Sequence, residues 1–336
     1  MTQSKTEGSA KLSPPWVEFL EGSLAEVERT LQDRIETPIK AIQNVSSYSI
    51  NAGGKRFRPA LVILGALAAD SDCEISRSID LASGVELLHL ATLLHDDVVD
   101  AAKSRRGETS ANILFGNKIS VLVGDYLFAR AFEIMAVDGD KRIIDLMAQV
   151  TVALSEGEVM ELVMRGSLGE LESLYWKMIE RKTARLISAC SEVGAISVGA
   201  PVSVSDALAS YGERIGLAFQ ITDDLFDITN TEENTGKPVG ADLMDGKVTL
   251  PYILTLKTVS PEVCECILEK TFKGEIEESD IQFLIKRARE TGVPEQCVER
   301  AEGQVSIALK QLEALDPTPA KSVLEEIGPY LLSRIS

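Results

Sequence analysis

The sequence predicts an all-α protein built as one helical bundle, and three observations carry that prediction. No proline occurs between Ala60 and Ala200, and proline breaks helix interiors. The same stretch is rich in Leu, Ala, Glu and Ile, which support long helices. Short β-branched runs such as Ile119-Ser120-Val121 sit inside longer 3.6-residue apolar patterns and do not stand alone as strands.

Taken in order, residues 1–13 are polar and read as a disordered tail. Pro14-Pro15 then opens an amphipathic run with Leu20, Leu24, Val27 and Leu31 on one face. Helices are expected near 57–70, 76–102, 117–136, 139–164, 170–181, 183–199 and 204–229. Shorter ones are expected near 247–257, 261–271, 277–290, 293–313 and 318–333. No Gly/Ser- or Pro-rich linker divides the middle, so residues 14–336 read as a single domain.

The bulk numbers narrow the function. The chain has 336 residues, 45% of them hydrophobic, enough for a sizeable core. Its net charge of −18 repels nucleic acid and anionic membrane surfaces. Cys73, Cys190, Cys264, Cys266 and Cys297 lack paired metal-site spacing and read as reduced structural thiols. The first residues carry no apolar signal core, and no apolar run approaches the roughly 20 residues of a membrane span. A soluble, cytoplasmic protein without an integral membrane segment is expected.

Leu93-Leu94-His95-Asp96-Asp97-Val98-Val99-Asp100 closes a strongly apolar helix. Asp96 and Asp100 share a face, where like charges repel unless a cation intervenes. Carboxylates are hard ligands suited to Mg²⁺, which also takes waters and substrate phosphates. An isolated DDxxD is more often a solvated acidic helix end. Here the pattern recurs as Asp223-Asp224-Leu225-Phe226-Asp227 after another apolar helix, and cations accompany both copies.

Those cations begin with Gly53-Gly54-Lys55-Arg56-Phe57-Arg58-Pro59, where glycines let the backbone approach an anion and Pro59 pre-sets a helix start. A diphosphate there would meet free N–H groups as well as Lys and Arg. Arg105-Arg106-Gly107, Lys182-Thr183, Gly236-Lys237-Pro238 and Gly246-Lys247 complete the set. Each is weak alone, but such a concentration around acidic motifs is unusual in so acidic a chain.

With these motifs assembled, the chain resembles the trans-polyprenyl diphosphate synthases. The resemblance rests on GGKRFRP at 53–59, LLHDDVVD at 93–100, RRG at 105–107, GD at 124–125 and GE at 157–158, together with KT at 182–183, FQITDDLFD at 219–227 and GKPVGADLMDGKVTLP at 236–251. It runs over about residues 15–335, in family order and spacing. It implies a helical bundle around a central cavity, a homodimer, and Mg²⁺-dependent condensation of isopentenyl diphosphate with an allylic diphosphate. Two or three Mg²⁺ ions are implied, with Mn²⁺ as a substitute. By the same resemblance Asp96, Asp100 and Asp223 bind metal, with Asp97 and Asp227 in support. Lys55, Arg58, His89 and Arg106 match the isopentenyl diphosphate site. Arg105, Lys182, Lys237 and Lys247 match the allylic diphosphate site, and Thr183 and Gln220 lie beside the reacting carbons, with Phe219 flanking them.

Helical spacing agrees with that assignment. His89 lies two turns before Asp96 on one face, and Gln220 one turn before Asp223. His95 falls just off the face of Asp96 and reads as structural. A growing tail anchored at Asp96 would run back past Thr92, Leu88 and Val85, with Ala91 beside them. Ala91 and Thr92 are small, which in this family accompanies long products, as in the octaprenyl-type synthases. Phe128 and Phe132 on the facing helix are candidates for the tunnel floor. The expected product is longer than geranylgeranyl diphosphate. A farnesyl or geranylgeranyl synthase, or a non-catalytic subunit of a heteromeric synthase, is the alternative.

Overall fold

The computed structural model describes residues 13–229 and 239–335. Most of the segment read as a tail, and Lys237, lie outside them. The amphipathic N-terminal run forms two helices, α1 (Pro15–Phe19) and α2 (Glu21–Arg34), because the chain turns at Leu20. Helix α3 (Lys40–Asn51) has no counterpart among the expected elements. Its Ser, Asn and β-branched residues are poor helix formers, and the helix forms by burying Val45 and Ile50.

Next come α4 (Phe57–Ala69) and α5 (Ser76–Val99). The latter stops short of the expected 102, because Ala101 turns left-handed at φ 48°. A small hairpin, β1 (Ser104–Arg105) with β2 (Glu108–Thr109), occupies the turn that follows. It was not expected from a sequence without strand patterns, and it presents Arg105 and Arg106 beside the end of α5. The chain continues through α6 (Ala111–Phe115), α7 (Asn117–Asp138), α8 (Lys141–Val163) and α9 (Leu168–Ile179).

No break separates α9 from α10 (Arg185–Ser197), where the sequence suggested one near 182. A π-helical turn, Glu180–Ala184, joins them. Helix α11 (Val202–Thr229) follows, then α12 (Ala241–Met244), α13 (Leu250–Leu256), α14 (Pro261–Lys273), α15 (Glu278–Glu290), α16 (Val293–Leu312) and α17 (Pro319–Ser333). Helix starts carry the expected chemistry: the side chains of Asp140, Ser260 and Thr318 accept from backbone N–H groups of α8, α14 and α17.

Packing centres on α5. Every residue from Leu81 to Ala91 is buried, including Glu86 and His89. A helix buried on all sides is the axis of its bundle, and its polar residues must find partners inside. Around it, α4, α7 and α10 contribute to one apolar cluster that includes Leu61, Leu88, Leu127, Ile187 and Leu208. A second cluster gathers Tyr175, Leu225, Tyr252, Ile253, Leu284 and Cys297. Helix α11 belongs to both, giving Leu208 and Tyr211 to the first and Ile221 and Leu225 to the second. Its 28 residues span about 42 Å. All five cysteines are free thiols. No described helix is long and apolar enough to cross a membrane.

Candidate active site

The end of α5 carries Asp96, Asp97 and Asp100, each in a different role. Asp97 is buried and accepts from Arg105 Nε and Nη2 at 2.8 and 2.6 Å. Its backbone carbonyl accepts from Asn112 Nδ2 at 2.9 Å. Asp97 thus anchors the hairpin arginine instead of standing open beside the other two acids. Asp96 is half-buried. Burial, reinforced by the carboxylate of Glu158, pushes it up to about 7, although Lys182 and Arg105 pull the other way. A divalent cation would relieve that strain. Among the described residues no three His, Cys, Asp or Glu side chains converge as a ready metal cage. Mg²⁺ prefers one or two hard carboxylates beside water and phosphate oxygens, so the residues fit the ion.

A chain of ion pairs and hydrogen bonds leads from the first motif to the second. Asp100 accepts from Lys247 Nζ at 3.3 Å, and Lys247 lies equally far from Glu161, at 3.3 Å. Glu161 accepts from Lys182 Nζ at 2.7 Å, and Glu158 from the same ammonium at 2.9 Å. Next to Lys182, the Thr183 hydroxyl donates to Gln220 Oε1 at 2.7 Å. Gln220 Nε2 donates to Asp224 Oδ1 at 2.7 Å, and Tyr175 Oη to Asp224 Oδ2 at 2.7 Å. Asp223 is exposed one turn after Gln220, while Asp224 is buried. Asp227 accepts from Tyr252 Oη at 2.7 Å, which ties α11 to α13.

The π-helical turn makes this arrangement possible. An inserted residue bulges the helix, and such bulges recur at functional sites. Two glycines clamp the turn. A Cβ on Gly157 of α8 would lie 2.6 Å from Lys182 N, and one on Gly216 of α11 would lie 2.6 Å from Ala184 Cα. Only backbone-close packing places Lys182 and Thr183 between the two motifs. Gly157→Ala should therefore cost about 1–3 kcal/mol of stability as overpacking. It should also lower turnover roughly tenfold or more, because the clash falls on the backbone of Lys182 itself. Urea denaturation and steady-state rates check both.

A second cationic cluster gathers around His89, two turns before Asp96 on α5. Arg58 Nη1 and His89 Nε2 are 3.0 Å apart. Burial, then the charges of Arg58, Arg106, Arg105 and Arg56, depress His89 well below its usual range. The ring is neutral, with Nε2 accepting from Arg58. Among the described residues, Arg58 Nε is buried without a partner. The Arg106 guanidinium lies against Gly54, where a Cβ would be 2.7 Å from Nη1. Arg56 does not join this face. It is buried and left-handed at φ 45°, bonded to Glu86 Oε1 at 2.9 Å, to Ile50 O at 2.7 Å and to Glu28.

The remaining expected residues are placed as follows. Val85, Leu88 and Ala91 are fully buried, and Thr92 is half-buried with its hydroxyl donating to His89 O at 2.8 Å. Phe128 and Phe132 are half-buried neighbours with ring centroids 5.2 Å apart. Ala131 and Ile134 of α7, by contrast, face Gly84 one turn below Leu88. His95 reaches α7, with Nε2 3.2 Å from Val121 O and 3.3 Å from Asp125. That is the structural role expected of it. Phe219 stacks on Phe57. Glu86 and Glu161 escaped the sequence reading, and Arg56 and Glu158 entered only as members of motifs, without a role of their own. The visible signal for Glu86 was a lone charge in an otherwise apolar run.

This fold and its two linked aspartate motifs define a protein of the isoprenoid-synthase class. The chain belongs to the polyprenyl synthetase family, whose profile matches residues 39–287, and is a prenyltransferase. It is 33% identical over 316 residues to heptaprenyl diphosphate synthase component 2 of Geobacillus stearothermophilus, covering 94% of this chain and 97% of that one. It is 34% identical over 315 residues to octaprenyl diphosphate synthase of Escherichia coli, covering 93% and 95%. Short-chain and geranylgeranyl synthases match at similar identity. A polyprenyl synthase of Caulobacter crescentus, solved with calcium and isoprenyl diphosphate, superposes with a TM-score of 0.90 at 34% identity, covering 98% of this chain and 100% of that one.

Proposed function

We propose that this chain condenses isopentenyl diphosphate with an allylic diphosphate, dependent on Mg²⁺, and carries the product beyond twenty carbons. The observation that carries this reading is two distinct cationic groupings along one helix, each suited to a diphosphate. The Lys182–Lys247 network faces Asp96 and Asp100, and the Arg58–His89–Arg106 cluster sits apart from it. One elongation step needs both, because two diphosphates must be held at once.

Mg²⁺ held by Asp96, Asp100 and Asp223 would neutralise the allylic diphosphate as a Lewis acid. Lys182 and Lys247 take up the remaining negative charge in place of Glu158, Glu161 and Asp100, and Arg105 and Lys237 contribute beside them. Their fixed positions make this a preorganised stabilisation of the leaving group. The Thr183 hydroxyl donates its hydrogen bond to Gln220 Oε1, so its lone pairs are directed elsewhere and are available to the cationic carbon. Lys55, Arg58, His89 and Arg106 hold isopentenyl diphosphate, and fixing both substrates makes the attack effectively unimolecular. The released diphosphate takes the proton, and the apolar faces exclude water that would trap the cation. The calcium in the Caulobacter crescentus relative supports a divalent ion.

Incubation of the purified chain with both substrates, with and without Mg²⁺, tests the reading. Mg²⁺-dependent release of diphosphate and chromatographed products longer than C20 are expected. No elongation would reject it. Long products are favoured by small Ala91 and Thr92 and by the heptaprenyl and octaprenyl relatives. Ala91 is fully buried, so a ring there would disturb packing; half-buried Thr92 gives the cleaner test. Thr92→Phe should shift the main product to a shorter polyprenyl diphosphate, and an unchanged length would sink the tunnel along α5.

A homodimer is supported by apolar side chains left exposed on α7 and α8, among them Leu122, Val152, Val159 and Val163. The relative named as component 2 supports a second reading, in which this chain is the catalytic half of a two-chain enzyme. Activity of the purified chain alone favours the first.

A further inference from the structure

Both ends of the chain converge on one lysine. Trp16 of α1 donates its indole N–H to the backbone carbonyl of Lys55 at 2.8 Å. Tyr330 of α17 accepts from the Lys55 ammonium. The same ammonium lies 5.2 Å from the centroid of the Tyr330 ring. The two aromatics meet edge to face, with centroids 5.5 Å apart and planes at 85°. Trp16 is 2% exposed and packs on Phe57 at 4.9 Å. Phe57 stacks on Phe219 at 6.0 Å and 18°, and Phe219 precedes Gln220.

The loop bearing Lys55 needs such support. Gly53 and Gly54, at φ 78° and 144°, leave its backbone without the restraint of a side chain. Lysine adds a flexible four-carbon stem to that loose base. Trp16 fixes the backbone and Tyr330 fixes the head. An ammonium has three donors, and one bond to Tyr330 leaves two for an anion. Tyr330 therefore aims the lysine without consuming it. Ordering the cation beforehand removes a cost that binding would otherwise carry.

We propose that Trp16 and Tyr330 are positioning residues for Lys55, so that the isopentenyl diphosphate subsite is complete only when both terminal helices are docked. This rests on the reading of Lys55 as an isopentenyl diphosphate ligand. The contacts join residues 39 and 275 positions apart, so nothing local to the Gly53–Pro59 loop can replace them.

The test uses the full chain and measures KM separately for isopentenyl diphosphate and for the allylic primer. Lys55→Ala should raise the first, and failure to do so would reject the underlying reading of Lys55 itself. Tyr330→Ala should raise KM for isopentenyl diphosphate roughly five- to tenfold, the scale of one hydrogen bond to a charged group. KM for the primer and kcat should stay within about twofold. Tyr330→Phe keeps the ring and loses the hydroxyl, so it should fall between. Trp16→Phe keeps the packing, loses the N–H and should raise the same KM. A purely structural role would act equally with or without the lysine. In the Lys55→Ala background, Tyr330→Ala should therefore add less than about twofold. An undiminished effect there, or no change in KM for isopentenyl diphosphate in Tyr330→Ala while Lys55→Ala raises it, overturns the proposal and leaves the function standing. Should Tyr330→Ala fail to fold, Tyr330→Phe decides by the same comparison.

Discussion

Asp96→Asn is expected to lower kcat by about three orders of magnitude, equivalent to about 4 kcal/mol of transition-state stabilisation. Metal neutralisation of a leaving diphosphate is a large term, and Asn lacks the charged oxygen that the proposed metal set takes from Asp96. The same substitution should stabilise the metal-free protein. Burial and Glu158 raise the Asp96 carboxyl to about 7, above its unfolded value of about 3.9. An acid whose folded pKa is raised weakens the fold as pH climbs from the unfolded value through the folded one. Below both values it is protonated in either state and contributes nothing. In EDTA, the variant should therefore be more stable than the parent at pH 8. Allowing for solvent reaching this half-buried side chain, the gain is about 1–2 kcal/mol. The difference should vanish near pH 4. Turnover in saturating Mg²⁺ and denaturation midpoints at the two pH values check both halves. A variant that kept its turnover would remove Asp96 from the metal set.

This opposition between stability and function explains the neighbourhood of the first motif. Asp96, Glu158, Glu161 and Asp100 crowd negative charge where lysines can only partly offset it. Lys182 touches Glu158 and Glu161, and Lys247 touches Glu161 and Asp100. A diphosphate entering with its cations exchanges these pairs instead of breaking them without replacement.

Much of this was legible in the sequence because helix-spaced motifs preserve geometry. Asp96 and Asp100, Gln220 and Asp223, and the apolar turns leading to each follow from 3.6-residue periodicity. The all-α bundle followed from the same periodicity and from the absence of proline between Ala60 and Ala200. Helix α3 was not legible, since burial of Val45 and Ile50 overrides its weak propensities. Nor was the turn at Glu180–Ala184, which depends on how closely α8 and α11 approach through Gly157 and Gly216. Asp97 was expected as a supporting acid, but its pairing with Arg105, carried on a hairpin without strand pattern, was not legible. The contacts of Tyr330 and Trp16 with Lys55 join distant segments and leave no periodic trace.

Arg56 shows how a motif residue can serve the site without facing it. Arg56→Met is expected to destabilise the protein by about 3–5 kcal/mol, because it strands a buried carboxylate. Glu86 is 3% exposed on the central helix, and Arg56 is its ion-pair partner at 2.9 Å. The guanidinium also reaches Glu28 on α2 and the carbonyl of Ile50 at the end of α3. One side chain thus joins three helices below the loop at 53–56 that leads into α4. Lysine cannot span these partners, lacking the planar fork, so Arg56→Lys should recover only part of the loss. Adding Glu86→Gln to Arg56→Met removes the stranded charge and should restore about half of the stability. Denaturation midpoints for the single and double variants measure the coupling. If Arg56→Met melts with the parent, the buried pair is not what fixes the loop. If the double variant is stable but binds isopentenyl diphosphate poorly, fixing the loop and stabilising the fold are separable tasks of the same arginine.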